Sequence, residues 1–397
     1  MNWRSSLGIT PNKKSMPIAP MAFVISTVGF LTFLAWNYID HRLSEDLSLT
    51  ASDQAIVTAL SFFSAIAVPL GLLATSFPRN TFLRPLTIPG LFLMGLTSSL
   101  LVLTIARDFA LSIYFSVSSA PAVYMLTWSA QWTIILSLIF SFLGLYNAKS
   151  TPKLKTIEIP IKGLRQAVRG FRIAHLTDVH IGPTIGAKDL TKMVSLINAT
   201  NPDVIVITGD LVDGRLADLE KEIRPLFDLR SVYGVYFVTG NHEYYSGCQD
   251  WIDHLSSNGI TVLLNEHKII THMGARIAIA GVTDHKAHNF IPHHQCDPEK
   301  ALSGIPSNTP TILLAHQPIT AGYVPSEKVS LQLSGHTHGG QFFPWRYAVP
   351  LQQPVISGLS NKYGHLMYVS RGAGYWGPPK RIAAASEITL VTLIPHE

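Results

Sequence analysis

The sequence predicts an all-α transmembrane region followed by a soluble α/β domain, and three observations predict it. Charge is divided unevenly: residues 1–150 carry 8 Lys plus Arg and 5 Asp plus Glu, whereas the other 247 carry 22 and 20. The first part holds four long uncharged stretches, and a helix needs about 20 apolar residues to cross the ~30 Å hydrocarbon layer. The second part alternates short Val- and Ile-rich runs with amphipathic patterns, which specifies strands interleaved with helices. Over all 397 residues only 14% are charged, the net charge is +5 and the mean hydropathy is +0.26. That composition excludes intrinsic disorder. Two cysteines, Cys248 and Cys296, exclude a disulfide framework and a thiolate zinc finger.

The uncharged stretches run from Ser15 to Ile39, Gln54 to Pro78, Pro85 to Ala106 and Phe109 to Ala148. They predict about four helices within a transmembrane region 1–148, at about 17–39, 55–77, 86–106 and 126–146. Ser116, Ser118, Ser119 and Pro121 interrupt the fourth stretch, so 109–121 is expected as an interfacial or re-entrant piece. With four spans, Arg4, Lys13, Lys14, Arg79, Arg84, Lys149, Lys153 and Lys155 fall on one side, and Arg42 and Arg107 on the other. The excess of basic residues then places both termini and the soluble domain in the cytoplasm, as in an integral protein of a bacterial inner membrane. A fifth span would reverse the side of the soluble domain. A cleaved signal peptide fits poorly, because the first apolar run is long and three more follow.

Residues 149–156 read as a polar linker and 157–397 as the soluble domain. Ile157, Ile159 and Ile161 alternate as a first strand. Further strands are expected at 171–177, 203–208, 233–239, 260–264, 276–282, 311–315, 329–334, 366–370 and 387–394. Leu190, Met193, Val194 and Ile197 share one face of a helix over 187–200. Leu216, Leu219, Ile223 and Leu226 mark another over 215–229, and Trp251, Ile252 and Leu255 a third near 246–257.

Candidate metal ligands follow five of these strands. Asp178-Val179-His180 follows 171–177, Gly209-Asp210 follows 203–208, and Gly240-Asn241-His242-Glu243 follows 233–239. His316 comes after 311–315, and Gly335-His336-Thr337-His338 after 329–334. Any one of these is weak. Together they place carboxylate, amide and imidazole donors at strand ends, where an α/β sheet binds ligands.

The pattern resembles the calcineurin-like metallophosphoesterases over about 155–394. It is closest to the branch with Leu-Ser-Gly-His-Thr-His-Gly-Gly-Gln (Leu333 to Gln341), a late Ser-Arg-Gly-x-Gly (Ser370 to Gly374) and a closing Glu-Ile-Thr-Leu (Glu387 to Leu390). That branch includes membrane-attached bacterial phosphodiesterases and phosphohydrolases. The resemblance implies a four-layer α/β/β/α sandwich. It implies one divalent metal held by Asp178, His180, Asp210 and His338, and a second held by Asp210, Asn241, His316 and His336. His242 is then the catalytic histidine that binds no metal. Ser386, Ala373 and Tyr375 depart from the branch pattern and bear on pocket shape.

The chemistry agrees with the resemblance. Two divalent ions activate a bridging hydroxide and screen the charge that builds up as a phosphoester is displaced in line. Two ions, two carboxylates and one hydroxide leave a net positive site that attracts phosphate. The donor set suits Mn, Fe or Zn. His242 could stabilise the transition state or protonate the leaving oxygen, or else orient the ligands from behind. Arg371 could meet a phosphate oxygen, with an internal ion pair as an equal alternative. His175 reads as core, and His285, His288, His293 and His294 as a polar loop. Phe342, Phe343, Pro344, Trp345, Tyr375 and Trp376 read first as buried packing. Exposed, they would form an apolar lip able to hold an acyl chain. The expected activity is therefore hydrolysis of a phosphodiester or pyrophosphate, of a lipid-linked substrate at a lipid membrane. The alternative is a membrane signalling or binding protein that keeps the fold. No basic, aromatic-studded stripe points to nucleic acid.

Overall fold

The structure is a computed structural model and describes residues 18–76, 82–118 and 123–396. Arg4, Lys13, Lys14, Arg79, Ser119 and Pro121 lie outside the described residues. Four helices come first: α1 (Ile18–Leu47), α2 (Ala51–Ser76), α3 (Arg84–Val117) and α4 (Val123–Lys149). Each is long and apolar enough to cross a membrane. Residues 109–117, expected as a re-entrant piece, instead continue α3 as regular helix. The reason is that Arg107 and Asp108 are paired, so their charges do not end the helix. Tyr38 donates to Asp108 Oδ2 at 2.5 Å and Arg42 Nε at 2.7 Å, while Arg107 pairs with Asp46 and donates to Ser129 Oγ at 2.8 Å.

Strand β1 (Lys153–Ile161) begins inside the expected linker, which shortens to 150–152. Its register is set by parallel pairing with β12 (Glu387–Pro395), from Lys153 opposite Glu387 to Ile161 opposite Pro395. Between them the chain forms β2 (Arg172–Leu176), β3 (Val204–Ile207), β4 (Val235–Phe237) and β5 (Thr261–Val262). It then forms β6 (Glu266–His272), β7 (Ala275–Gly281), β8 (Thr311–Leu314), β9 (Leu331–Ser334), β10 (Gly358–Ser360) and β11 (Leu366–Val369). One six-stranded sheet has the order β1-β12-β2-β3-β4-β5 and the other β10-β11-β9-β8-β7-β6. The helices of this part are α5 (Ala187–Asn198), α6 (Leu216–Ile223), α7 (Asn241–Tyr245), α8 (Cys248–Ser257) and α9 (Pro298–Leu302).

Side chains alternate across each strand, so each sheet buries two faces. Ile173, Val204 and Val206 pack with Ile277, Ile279, Ile312 and Leu331 between the sheets. Ala174, Leu176, Ile205 and Ile207 pack on the opposite face against Leu190, Val194, Leu219 and Leu255 of α5, α6 and α8. On the far side of the second sheet, Ala280 and Leu313 meet Ala301 and Leu302 of α9. The result is the four-layer α/β/β/α sandwich, preceded by an all-α region.

Candidate metal centre

The chemistry-bearing loops leave the carboxyl ends of β2, β3, β4, β8 and β9. These strands pair in parallel within their sheets, so those ends point one way. Five of the residues carry a left-handed backbone: Asp178 (φ 53°), His180 (55°), Asp210 (50°), His336 (71°) and His338 (50°). Such a conformation is unfavourable for a side-chain-bearing residue and gathers at functional sites. Bonds between loops hold it in place. Asp178 N donates to Gly209 O at 3.1 Å, His180 N to Asp210 O at 3.1 Å, and Gly374 N to Asp178 O at 2.7 Å.

The structure brings Asp178, His180, Asp210, His316, His336 and His338 together with His242. Asp178, His180 and His338 form one group whose donor atoms lie within 4.8 Å of one another; His180, Asp210 and His242 form a second, and Asp210, His316 and His336 a third. Asp210 belongs to two of the groups. Its Oδ2 is 3.1 Å from His316 Nε2, 3.9 Å from His242 Nε2 and 4.0 Å from His180 Nε2. Two pairs of imidazole nitrogens approach closely, His180 Nε2 to His338 Nε2 and His316 Nε2 to His336 Nδ1, both at 3.1 Å.

Three features fit this donor set to divalent cations. His316 donates Nδ1–H to Thr208 O at 2.7 Å, which turns its Nε2 towards Asp210 and His336. His180 donates Nδ1–H to Asp213 Oδ1 at 2.9 Å, which turns its Nε2 inward in the same way. Asn241 Oδ1 is buried without a hydrogen-bond partner, a state that a cation would relieve. Further bonds brace the donors from behind. Thr177 Oγ1 donates to Asp178 Oδ2 at 2.8 Å, and His242 N donates to Asp210 Oδ1 at 2.9 Å. Glu243 Oε2 accepts from Asp210 N at 3.0 Å and from Gly240 N at 2.6 Å, which stitches two loops together.

Electrostatics divides the group. Burial pushes Asp178 up. Burial acts the same way on Asp210, but the charges of His316 and His242 outweigh it and hold this carboxylate well below the usual range. Burial lowers His316, yet Asp210 raises it to about 10. His242 likewise rises to about 9 under Asp210 and Asp213 against the pull of burial. Burial drives His336 down to about 3 and also lowers His338, beside Arg381. Glu243 climbs to about 7 through burial and the neighbouring Asp210 charge.

Around the centre, His242 Nδ1 lies 2.6 Å from Asp213 Oδ1, and its ring meets Trp376 edge-on at 5.9 Å between centroids. Arg371 stands partly exposed, 3.9 Å from Glu387 Oε2, outside the donor groups. His175 is a buried core residue bonded to Thr208 Oγ1 at 2.8 Å. His285, His288, His293 and His294 join no donor group among the described residues. The aromatic loops divide: Phe342 and Tyr375 are buried, whereas Phe343, Trp345 and Trp376 are 51 to 55% exposed. The packing expected for all of these rings therefore holds for only two. Sequence reasoning missed Arg381. This fully buried guanidinium sits behind His338 and donates to Gly374 O at 2.8 Å and to Ala384 O at 2.9 Å.

A four-layer sandwich with clustered Asp and His donors at its strand ends, carried on apolar helices, defines a membrane protein with a metal-binding α/β domain. Residues 171–340 match the calcineurin-like phosphoesterase family model. The chain is 41% identical over 268 residues to a transmembrane protein with metallophosphoesterase domain from Danio rerio, covering 66% of this chain and 61% of that one. It is 36% identical to an uncharacterized metallophosphoesterase of Campylobacter jejuni, over 66% of this chain and 68% of that one. It is 32% identical to another of Aquifex aeolicus, over 56% and 85%. The chain belongs to the calcineurin-like metallophosphoesterase family. It spans about three-fifths of the length of the Danio rerio relative.

Proposed function

We propose that the chain is a metal-dependent phosphohydrolase that cleaves a phosphodiester or pyrophosphate bond of a lipid-linked substrate at the membrane, with its catalytic domain in the cytoplasm. In this reading Asp178, His180, Asp210 and His338 hold one divalent ion, and Asp210, Asn241, His316 and His336 hold the other. Mn, Fe and Zn suit these donors. When bound, two such ions supply a water of lowered pKa and screen the substrate's charge. Water adds at phosphorus, the P–O bond to the leaving group breaks, and the leaving oxygen takes a proton. His242 is the donor of that proton: Asp213 fixes its Nδ1, and Nε2 faces the centre. Arg371, outside the donor groups, orients the phosphate by turning from Glu387, whose Oε2 lies 3.9 Å from its Nε.

The observation that carries the reading is the gathering of six Asp and His donors into groups that share His180 and Asp210. The test uses the purified full chain, stripped of metal and resupplied with Mn²⁺, on bis-p-nitrophenyl phosphate and a lipid-linked pyrophosphate. Hydrolysis should require the metal, and Asp210→Ala should lower it by about 10³-fold or more. Activity that survives both chelation and Asp210→Ala would refute the reading.

A further inference from the structure

We infer that the loops 342–351 and 375–381 form a port in the plane of the membrane, in which the hydrocarbon tail of a lipid lies while its phosphoester reaches Asp210 and His242. The phosphoester end of this inference rests on the hydrolase reading; the lipid end stands on three further observations.

The first is depth. Trp345 Nε1 donates to Ser98 Oγ of α3 at 3.3 Å. Ser98 lies 14 residues beyond Arg84 and 9 before Arg107. At 1.5 Å per residue that is about 21 Å from one end of the uncharged stretch and about 13 Å from the other. Lys380 also reaches into the bundle: its Nζ donates to Gly95 O at 2.9 Å and to Ser141 Oγ at 3.3 Å, between α3 and α4, about 16 Å along α3 from Arg84 and about 12 Å along α4 from Lys149. Both loops therefore touch the helices within their uncharged stretches, which sets their outer surface towards acyl chains when those helices span a bilayer.

The second is composition. Phe343, Trp345, Tyr347, Leu351 and Trp376 are exposed large hydrophobic residues on these two loops. Five exposed large apolar side chains on two neighbouring loops are costly in water and are matched by lipid. The third is continuity. Gln341 ties the loops together, donating Nε2–H to Trp376 O at 3.0 Å and accepting from Trp376 N at 3.1 Å. Trp376 then packs edge-on against His242. Gln341 and Trp376 thus link the loop that touches α3 to the proposed proton donor. The single occupant that fits is one long alkyl or isoprenyl chain whose headgroup is the phosphoester.

The experiment uses the full chain in phosphatidylcholine nanodiscs and has two arms. In the first, tryptophan fluorescence of the parent is compared with that of Trp345→Phe, with lipids brominated along the acyl chain and with aqueous iodide as quenchers. The emission lost in Trp345→Phe should be quenched by bromolipid and spared by iodide; the opposite result overturns the port. In the second, p-nitrophenyl hexadecyl phosphate is compared with p-nitrophenyl methyl phosphate, which carries the same scissile bond. The parent should favour the long chain, and Trp345→Ser combined with Tyr347→Ser should lower the ratio of kcat/KM values by about tenfold or more, mainly through KM. An unchanged ratio, with both esters hydrolysed, overturns the port and leaves the hydrolase standing. Hydrolysis of neither ester by the parent with Mn²⁺ overturns the hydrolase reading, and with it the port as a substrate route.

Discussion

Asp213 binds nothing in the proposed reaction, yet one of its oxygens serves two rings. Oδ1 accepts from His180 Nδ1 at 2.9 Å and lies 2.6 Å from His242 Nδ1. The carboxylate stays ionised, because the charges of His180 and His242 overcome its burial. In Asp213→Asn the shape survives and the charge does not, so both bonds weaken and both rings lose their fixed direction. Removing such a partner of a metal-binding histidine lowers metal affinity or activity about 10–100-fold, or ~1.4–2.7 kcal/mol. Two consequences should separate. Loss at His180 weakens metal binding, read by titrating metal-free protein with Mn²⁺. Loss at His242 remains at saturating metal, read as lower kcat. It has a sign in pH as well. Asp213 stabilises the protonated ring, so the parent's acid form persists to higher pH than the variant's. The alkaline limb of kcat should therefore move to lower pH in Asp213→Asn. Equal metal affinity within about twofold and superimposable pH profiles would refute the reasoning.

Other substitutions probe separate parts of the centre. Asn241→Ala removes a donor from only one of the two proposed ions, so bound metal after dialysis should fall from about two per chain towards one by elemental analysis. Gly240→Ala adds a Cβ that would lie 2.2 Å from Asp210 Oδ1 and 2.5 Å from Asp210 N. The backbone there is extended (φ −98°), so the whole effect is collision. It should cost about 10²-fold in kcat/KM, with secondary structure retained by circular dichroism. Gly144→Ala places a Cβ 2.5 Å from Lys380 Cγ. Docking of the catalytic domain on α4 should weaken by ~1–3 kcal/mol, read as faster limited proteolysis at 150–152.

What the sequence disclosed and what it withheld follow one rule. The strands carrying the centre are short apolar runs buried on both faces, and each ends at a Gly, Asp or His, so their positions are visible locally. Strand β6 has no such signature. Its residues Glu266 and Lys268 are exposed, and antiparallel pairing with β7 makes it a strand. Helix α7 is equally hidden, because it depends on Glu243 reaching back to Gly240 N. The end of α3 was misplaced because Asp108 reads as a charge that stops a span. Only its distant partners Tyr38 and Arg42 show that the charge is satisfied.

Lys380 and Arg381 show the same rule at the junction of the two halves. In the sequence they are two cations after two prolines, with the look of a solvated turn. Folded, they point apart. Lys380 enters the helix bundle, while Arg381 passes behind His338 and spends its donors on the carbonyls of Gly374 and Ala384. A buried guanidinium is tolerated only where acceptors of this kind surround it. Its own backbone N–H goes to Gly144 O on α4, at 3.0 Å, and Asn147 Nδ2 returns to Arg381 O at 3.0 Å. Adjacent residues thus bond a membrane helix through one face and the wall of the metal centre through the other. The helices are therefore more than a tether, because the loops that shape the centre are folded against them.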